Sequence, residues 1–382
     1  MSEQSFIKRR WKLILNVVTV IALIVLVVAI REQLVDTFKN LAKVNAWALL
    51  LLLPIQALNY HSQTRMYQGL FAMLGNHLRY KFMYRAALEL NFVNHVFPSG
   101  GVSGISYFGV RMKNAEISGS KATLVQLIKL GMLFLSFEVL LIAGLLFLSI
   151  EGRANDFVVM VTTAITTLMV VATFGFVMII GSRSRIDATF TFLTRAINKI
   201  LHFFLPKSPE TINIQRAKRA VEDLHNNYKT IESKWRELKW PFIWALMANL
   251  TEVLSIYVVY LAFGEWINLG AVILAYAVAN FAGLVSVMPG GVGIYEALMT
   301  GVLVAAGVPA ALSLPVTVMY RVLSTLIQVP PGWYYYHKTL LQSGAKAHAD
   351  EMERPEGSAK STQGSNPESD DESGDSKTQK DD

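Results

Sequence analysis

Four stretches without a single Asp, Glu, Lys or Arg dictate what this chain can become: residues 13–30, 44–64, 157–182 and 266–295. A helix rises about 1.5 Å per residue, so roughly 17–25 apolar residues cross the ~30 Å hydrocarbon core of a bilayer. Uncharged runs of this length have no use in a soluble core, and they predict an integral membrane protein. The composition agrees, since only 16% of the residues are charged against about 25% in soluble domains. The first run follows Lys8, Arg9, Arg10 and Lys12 and ends Val28-Ala29-Ile30-Arg31. It is longer than a signal-peptide core and lacks a small-x-small cleavage site, so it reads as a retained first helix. The chain contains no cysteine, which excludes disulfides, thiolate metal sites and a cysteine nucleophile. Phosphate-loop, His-Glu-x-x-His and Gly-x-Ser-x-Gly motifs are missing, and no cofactor or metal is expected.

The whole chain carries +7, but residues 341–382 hold 11 acidic and 5 basic residues, leaving +13 on the first 340. The acidic Ser/Gly-rich tail cannot bury enough surface to fold and is expected to be disordered. The basic excess suits anionic lipid; no basic stripe with interleaved aromatics points to nucleic acid. Six full spans are predicted, at about 11–30, 45–70, 121–150, 157–181, 240–263 and 311–336, with Pro54 as a kink in the second. The loop 183–239 has 12 basic against 6 acidic residues. Basic loops stay inside, so this loop and both termini are expected in the cytoplasm of a cell membrane, with 151–156 and 264–267 outside. Within the loop, 183–205 reads as an amphipathic helix lying in the leaflet. Residues 211–238 place Ile214, Val221, Leu224, Tyr228, Ile231 and Trp235 on one stripe, which suits docking onto the bundle or a coiled-coil dimer seam.

Two stretches break the helical pattern. The first reads Asn91-Phe92, then Pro98-Ser99-Gly100-Gly101-Val102; the second reads Asn280-Phe281, then Pro289-Gly290-Gly291-Val292-Gly293. Proline ends a helix and glycine permits positive φ and close approach. The charges around them predict two re-entrant hairpins from opposite faces, each following two spans. That arrangement is an inverted-topology repeat of the kind transporters use. The free N–H groups of half-helix termini suit an anionic headgroup; a tight crossing of small residues is the other reading.

Charges inside spans are costly and pair or line a polar path. Glu296 stands three residues after the second break, Arg321 lies inside the last span, and Glu138, Glu252 and Lys129 lie inside theirs. Glu296 and Arg321 are expected to touch, directly or through one water. Glu89 and His95 flank the first break; His95 reads as a hydrogen-bonded structural residue, and the two together are the one arrangement that would suit an integral lipid enzyme.

Asn91 with Pro98-Ser99-Gly100-Gly101, then Pro289-Gly290-Gly291-Val292-Gly293-Ile294-Tyr295-Glu296, then Tyr320-Arg321, resemble the lysylphosphatidylglycerol synthase transmembrane region, or flippase-like domain family. This family forms the membrane half of the multiple peptide resistance factor and also occurs as stand-alone proteins. The resemblance covers roughly residues 10–337. It departs where many members carry Gly-Glu-x-x-Arg, since Ser103-Gly104 stands there and Arg111 comes later; where many carry Glu-Arg in the following helix, Lys129 is the nearest base. No aminoacylating domain is recognisable, so the resemblance implies lipid translocation rather than aminoacyl transfer. The expectation is an all-α polytopic bundle that is not an enzyme and moves an anionic or modified phospholipid or a polyprenyl-linked lipid between leaflets. The candidate substrate-binding residues are Asn91, Pro98, Gly100, Gly101, Arg111, Lys129, Asn280, Pro289, Gly290, Gly291, Gly293, Glu296, Tyr320 and Arg321. The alternative is a non-transporting scaffold for envelope lipid enzymes. Besides membrane lipids, two partners stay open: a second copy of the chain and an envelope enzyme.

Overall fold

The computed structural model describes residues 31–41, 44–97, 102–150, 152, 156–182, 214–285 and 293–352, with isolated residues at 21–28 and 184–188. The predicted first span, both Pro-Gly-Gly segments, most of the predicted interfacial helix at 183–205 and the tail beyond 352 fall outside the described residues. The chain divides into two compact units, Met1–His337 and Lys338–Asp382.

All the described regular structure is helical. In chain order the helices are α1 (Arg31–Leu41), α2 (Leu52–Met73), α3 (Tyr80–Val96), α4 (Val102–Lys113), α5 (Gly119–Ile150), α6 (Asp156–Ile180), α7 (Ile214–Ser233), α8 (Lys239–Ala262), α9 (Leu269–Val285), α10 (Ile294–Ala305) and α11 (Ala310–Met352). A single turn, Ala46–Leu49, leads into α2. Among the described residues, four segments are long and apolar enough to cross a membrane: Gly119–Ile150, Val158–Gly175, Trp235–Ala262 and Ala310–Gln342. They correspond to the last four predicted spans. The second predicted span, α2, has 22 residues, about 33 Å of helix, but its middle is polar. The predicted span is interrupted at residues 50–51, just ahead of Pro54. The proline sits in the first turn, where its missing N–H costs nothing.

The two broken stretches are each a pair of short helices of matching size. α3 and α9 have 17 residues, α4 and α10 have 12. At 1.5 Å per residue they measure about 26 and 18 Å, short of a ~30 Å core. Asn91 and Asn280 are each the twelfth residue of the longer helix. α3 and α4 run antiparallel, with Arg111 over the Phe82 ring, Tyr107 bonded to Glu89, and Gly104 against Asn94.

Two apolar clusters share the long helices. One gathers Leu140, Leu141 and Leu148 of α5 with Val253–Ala262 of α8 and the inner faces of α9, α10 and α11. The other gathers Met66–Leu74 with Met83, Phe108, Leu124 and Val125, and takes in Leu224 and Ile231 of α7. The α7 stripe therefore docks onto the bundle, against α5. Between the clusters runs a buried polar belt: Gln56, Asn59 and Ser62 of α2, Ser136 and Glu138 of α5, Asn249, Thr251 and Ser255 of α8. The outer surface is the reverse of a soluble protein's. Ile142, Leu146, Val171 and Phe174 are exposed, a contiguous apolar exterior that fits lipid rather than water. Trp235 and Trp240 stand exposed at one end of α8, and Trp266 beyond the other, the placement expected of aromatic belts at two interfaces.

Glycine sets the closest approaches. A Cβ on Gly270 of α9 would lie 2.2 Å from the Gly144 carbonyl oxygen of α5, and one on Gly332 of α11 would lie 2.6 Å from the Leu88 carbonyl oxygen of α3. Lipid tails are as apolar as Leu, so helices in a bilayer associate through such backbone contact. Gly270→Leu should cost about 1–3 kcal/mol through overpacking, read as a lower melting temperature in detergent. Gly175→Leu, where nothing lies within 4 Å of the added carbon, should leave the melting temperature unchanged.

Candidate functional site

The belt opens into a cavity of about 330 Å³ lined from six helices. α2 contributes Gln63, α3 Asn91 and His95, α8 Glu252, α9 Tyr276 and Asn280, α10 Tyr295, and α11 Tyr320, Arg321, Ser324, Thr325 and Gln328. Its volume is near the lower end of the ~300–1,000 Å³ usual for small-molecule sites.

Arg321 is held from two sides. Its Nη1 donates to Oε1 of Glu296, and its guanidinium lies over the Tyr295 ring, 4.7 Å from the centroid. Glu296 is itself buried. It is the third residue of α10, and its Oε2 accepts the Gly293 N–H at 2.7 Å, closing the helix start as a capping carboxylate does. Gly293 holds φ +88°, a conformation that favours glycine. Oε1 accepts a further bond from Gln33 Nε2 of α1 at 2.9 Å. The carboxylate thus receives three donors, from α1, from the end of the second break and from α11.

A second carboxyl, Glu252, faces the cavity. It accepts the Tyr320 hydroxyl at 2.7 Å. The wall between α2, α3, α8 and α11 is a row of amides. Asn91 Nδ2 donates to Gln328 Oε1 at 2.9 Å and to the Tyr60 hydroxyl at 2.7 Å. Gln328 Nε2 donates to Gln56 Oε1 at 2.9 Å, and Gln56 Nε2 to Ser255 Oγ at 3.2 Å. Asn59 ties the same helices with bonds to Thr251 Oγ1 and the Ala248 carbonyl, both 2.9 Å. His95 Nδ1 lies 2.9 Å from the Asn91 carbonyl oxygen, consistent with a structural hydrogen bond.

The structure brings Asn91, Asn280, Tyr320 and Arg321 together around the cavity, with Glu296 and Gly293 behind Arg321. It places two of the expected residues elsewhere. Arg111 donates from Nε to the buried Glu89 at 2.6 Å, and Tyr107 donates to the same oxygen. Lys129 donates to the Tyr67 hydroxyl at 2.9 Å and lies over that ring. Each has a local partner on a neighbouring helix, so neither joins Arg321. Pro98, Gly100, Gly101, Pro289, Gly290 and Gly291 lie outside the described residues.

Several lining residues escape a reading that looks for charges and breaks. Gln63, Tyr276 and Gln328 carry no charge, and Glu252 gives no hint of Tyr320, 68 positions away. Polar residues at helical spacing inside an apolar span were the available signal. In α2 it runs Gln56, Asn59 or Tyr60, Gln63; in α11 it runs Arg321, Ser324 or Thr325, Gln328.

A UPF0104 membrane protein of Methanothermobacter thermautotrophicus is 34% identical over 122 residues, 31% of this chain and 36% of the relative. The UPF0104 membrane protein PH1989 of Pyrococcus horikoshii is 21% identical over 234 residues, 61% of this chain and 69% of that protein. The first match therefore spans little more than a third of its relative's length. The family model described as the lysylphosphatidylglycerol synthase TM region matches residues 13–332, from the first charge-free run through the helix that carries Tyr320 and Arg321. This chain belongs to that membrane-protein family.

Proposed function

We propose that this protein translocates a phosphate-bearing lipid, an anionic or modified phospholipid or a polyprenyl-linked lipid, between the leaflets of the cell membrane. The observation that carries the reading is a polar cavity inside an apolar-surfaced bundle, with a largely buried cation, Arg321, held at its wall by Glu296. A headgroup would enter the cavity while its chains stay in the surrounding lipid. Arg321 would attract the phosphate, and the amides of Asn91, Asn280 and Gln328 would replace part of its hydration. The two pairs of short helices, matched in length and in the position of their asparagines, support re-entrant hairpins in an inverted repeat. Such repeats build alternating access around a site near the midplane.

Vesicles reconstituted with the purified protein and tail-labelled fluorescent lipids test this. Translocation of at least one phosphate-bearing lipid should exceed that of protein-free vesicles. Rates equal to the protein-free control across anionic, zwitterionic and polyprenyl-phosphate lipids would end the proposal. Deleting 353–382 should leave translocation intact, whereas a scaffold that works through its tail predicts loss of function with that deletion.

The buried pair supplies a second test. Removing one partner of a buried ion pair costs about 3–5 kcal/mol, because the other charge stays behind. Glu296→Gln or Arg321→Gln alone should sharply lower the yield of folded protein. The Glu296→Gln/Arg321→Gln double variant should recover assembly, read by size-exclusion profile and melting temperature, yet translocate no lipid. A double variant as active as the parent would remove Arg321 from the site.

Orientation is the third. Lys234 and Lys121 bond near the end of α2 at the same end of the bundle as Arg79 and Lys81, and the opposite end has Glu265. By the positive-inside tendency, that basic end faces the cytoplasm. In this cysteine-free chain, Glu265→Cys should react with an impermeant reagent on intact cells and Ser233→Cys should not. The opposite labelling pattern would invert the topology.

A further inference from the structure

A second concavity, about 350 Å³, lies at the start of α3 and shares no residue with the polar cavity. Its lining is Arg79, Tyr80, Lys81, Phe82, Arg85 and Arg111. Four of the six are cations, and no acid is among them. We propose that this concavity is a phosphate-binding site, occupied by the headgroup phosphate of a membrane lipid or by a soluble phosphate ester.

The placement of the charges argues for a bound anion. Arg79 is the N-cap of α3 and Lys81 lies in its first turn, which contains no acidic residue. The start of a helix carries partial positive charge and disfavours cations. Arg111 is already paired with Glu89, but Arg79 and Lys81 at the helix start, with Arg85 one turn on, repel one another and the helix, and an anion among them relieves that repulsion. Phosphate is the anion that fits, since its several oxygens can accept from guanidinium forks and an ammonium at once.

The site is also built rather than merely basic. Arg111 is largely buried and is oriented by its bond to Glu89 and by the Phe82 ring, 4.5 Å from its guanidinium carbon. Arg85 is steadied over the Tyr335 ring of α11 at 5.3 Å. Arg79 and Lys81 are exposed at the rim, where they can close on a ligand. The concavity lies at the basic end of the bundle. α3 continues from Arg85 through Glu89 to Asn91, so one helix carries both this site and a wall of the polar cavity. The site stands as a phosphate site whether or not the chain moves lipid. If it does, the headgroup would dock here before or after its passage.

The test uses the full chain in neutral detergent and in phosphatidylcholine nanodiscs doped with phosphatidylglycerol. Retained phosphatidylglycerol is counted by native mass spectrometry. Melting temperature is followed with inorganic phosphate and with glycerol 3-phosphate, at ionic strength matched with sodium chloride. The Arg79→Gln/Lys81→Gln variant removes only exposed charges and should fold. The control is Arg236→Gln/Lys239→Gln, which removes two exposed cations at the same end. The proposal expects phosphatidylglycerol retention or phosphate stabilisation in the parent, weakened about tenfold or more in the Arg79/Lys81 variant, as two cations near an anionic group warrant, and unchanged in the control. Retention of phosphatidylglycerol with no effect of the soluble esters assigns the site to lipid. Stabilisation by the esters assigns it to a soluble phosphate. Equal losses in variant and control mean general attraction to anionic surface and overturn the site, as does failure of all three probes to bind the parent.

Discussion

One carboxylate holds the second half of this protein in register. Glu296 accepts from the Gly293 N–H, from Gln33 and from Arg321, so it joins a helix start, an early helix and the last span. A charge buried at this depth is tolerated only when it is fully partnered, because desolvation costs several kcal/mol per ion. The constraint is mutual. Arg321 cannot turn into the cavity without leaving Glu296 short of a donor, and α10 cannot shift without losing its cap. The cation at the cavity wall is therefore positioned by the fold before any ligand arrives.

The rest of the bundle is arranged to make such a cavity affordable. Among the described residues, two large apolar clusters flank the polar residues of α2, α5 and α8. Close helix contact is supplied by Gly144 against Gly270 and by Gly332 against the backbone of α3. In lipid, where water does not drive helices together, these backbone contacts and the interhelical hydrogen bonds do the holding.

Much of this was legible in the amino-acid pattern, for physical reasons. Long, strongly apolar runs have no use except in a bilayer, so the last four spans stand out although three of them carry a charge. Glu296 and Arg321 were readable as partners because each is the rare charge in its own segment and their elements are consecutive. Nothing in the sequence showed that Arg111 and Lys129 lie away from the polar cavity. A buried charge announces that it needs a partner but not which one, and Glu89 and Tyr67 belong to other helices. Pro54 follows directly on the interruption ahead of α2, and within the first turn of that helix it has no bond to break. Gln56 and Gln328 were the least visible, since an uncharged amide in an apolar span alters composition very little. Their significance comes from meeting one another, 272 positions apart along the chain, and from Gln328 meeting Asn91, 237 positions apart.

The amide row has a direction, and a helix backbone sets it. Ser255 donates its hydroxyl to the Thr251 carbonyl, which can only accept. The serine oxygen must then receive from the Gln56 amino group, the Gln56 carbonyl from Gln328, and the Gln328 carbonyl from Asn91. Each amide, which alone could point either way, has one permitted orientation. The dipoles align from α3 to α8. What Asn91 presents to a visitor in the cavity is thus decided three side chains away, by a carbonyl in the turn of another helix.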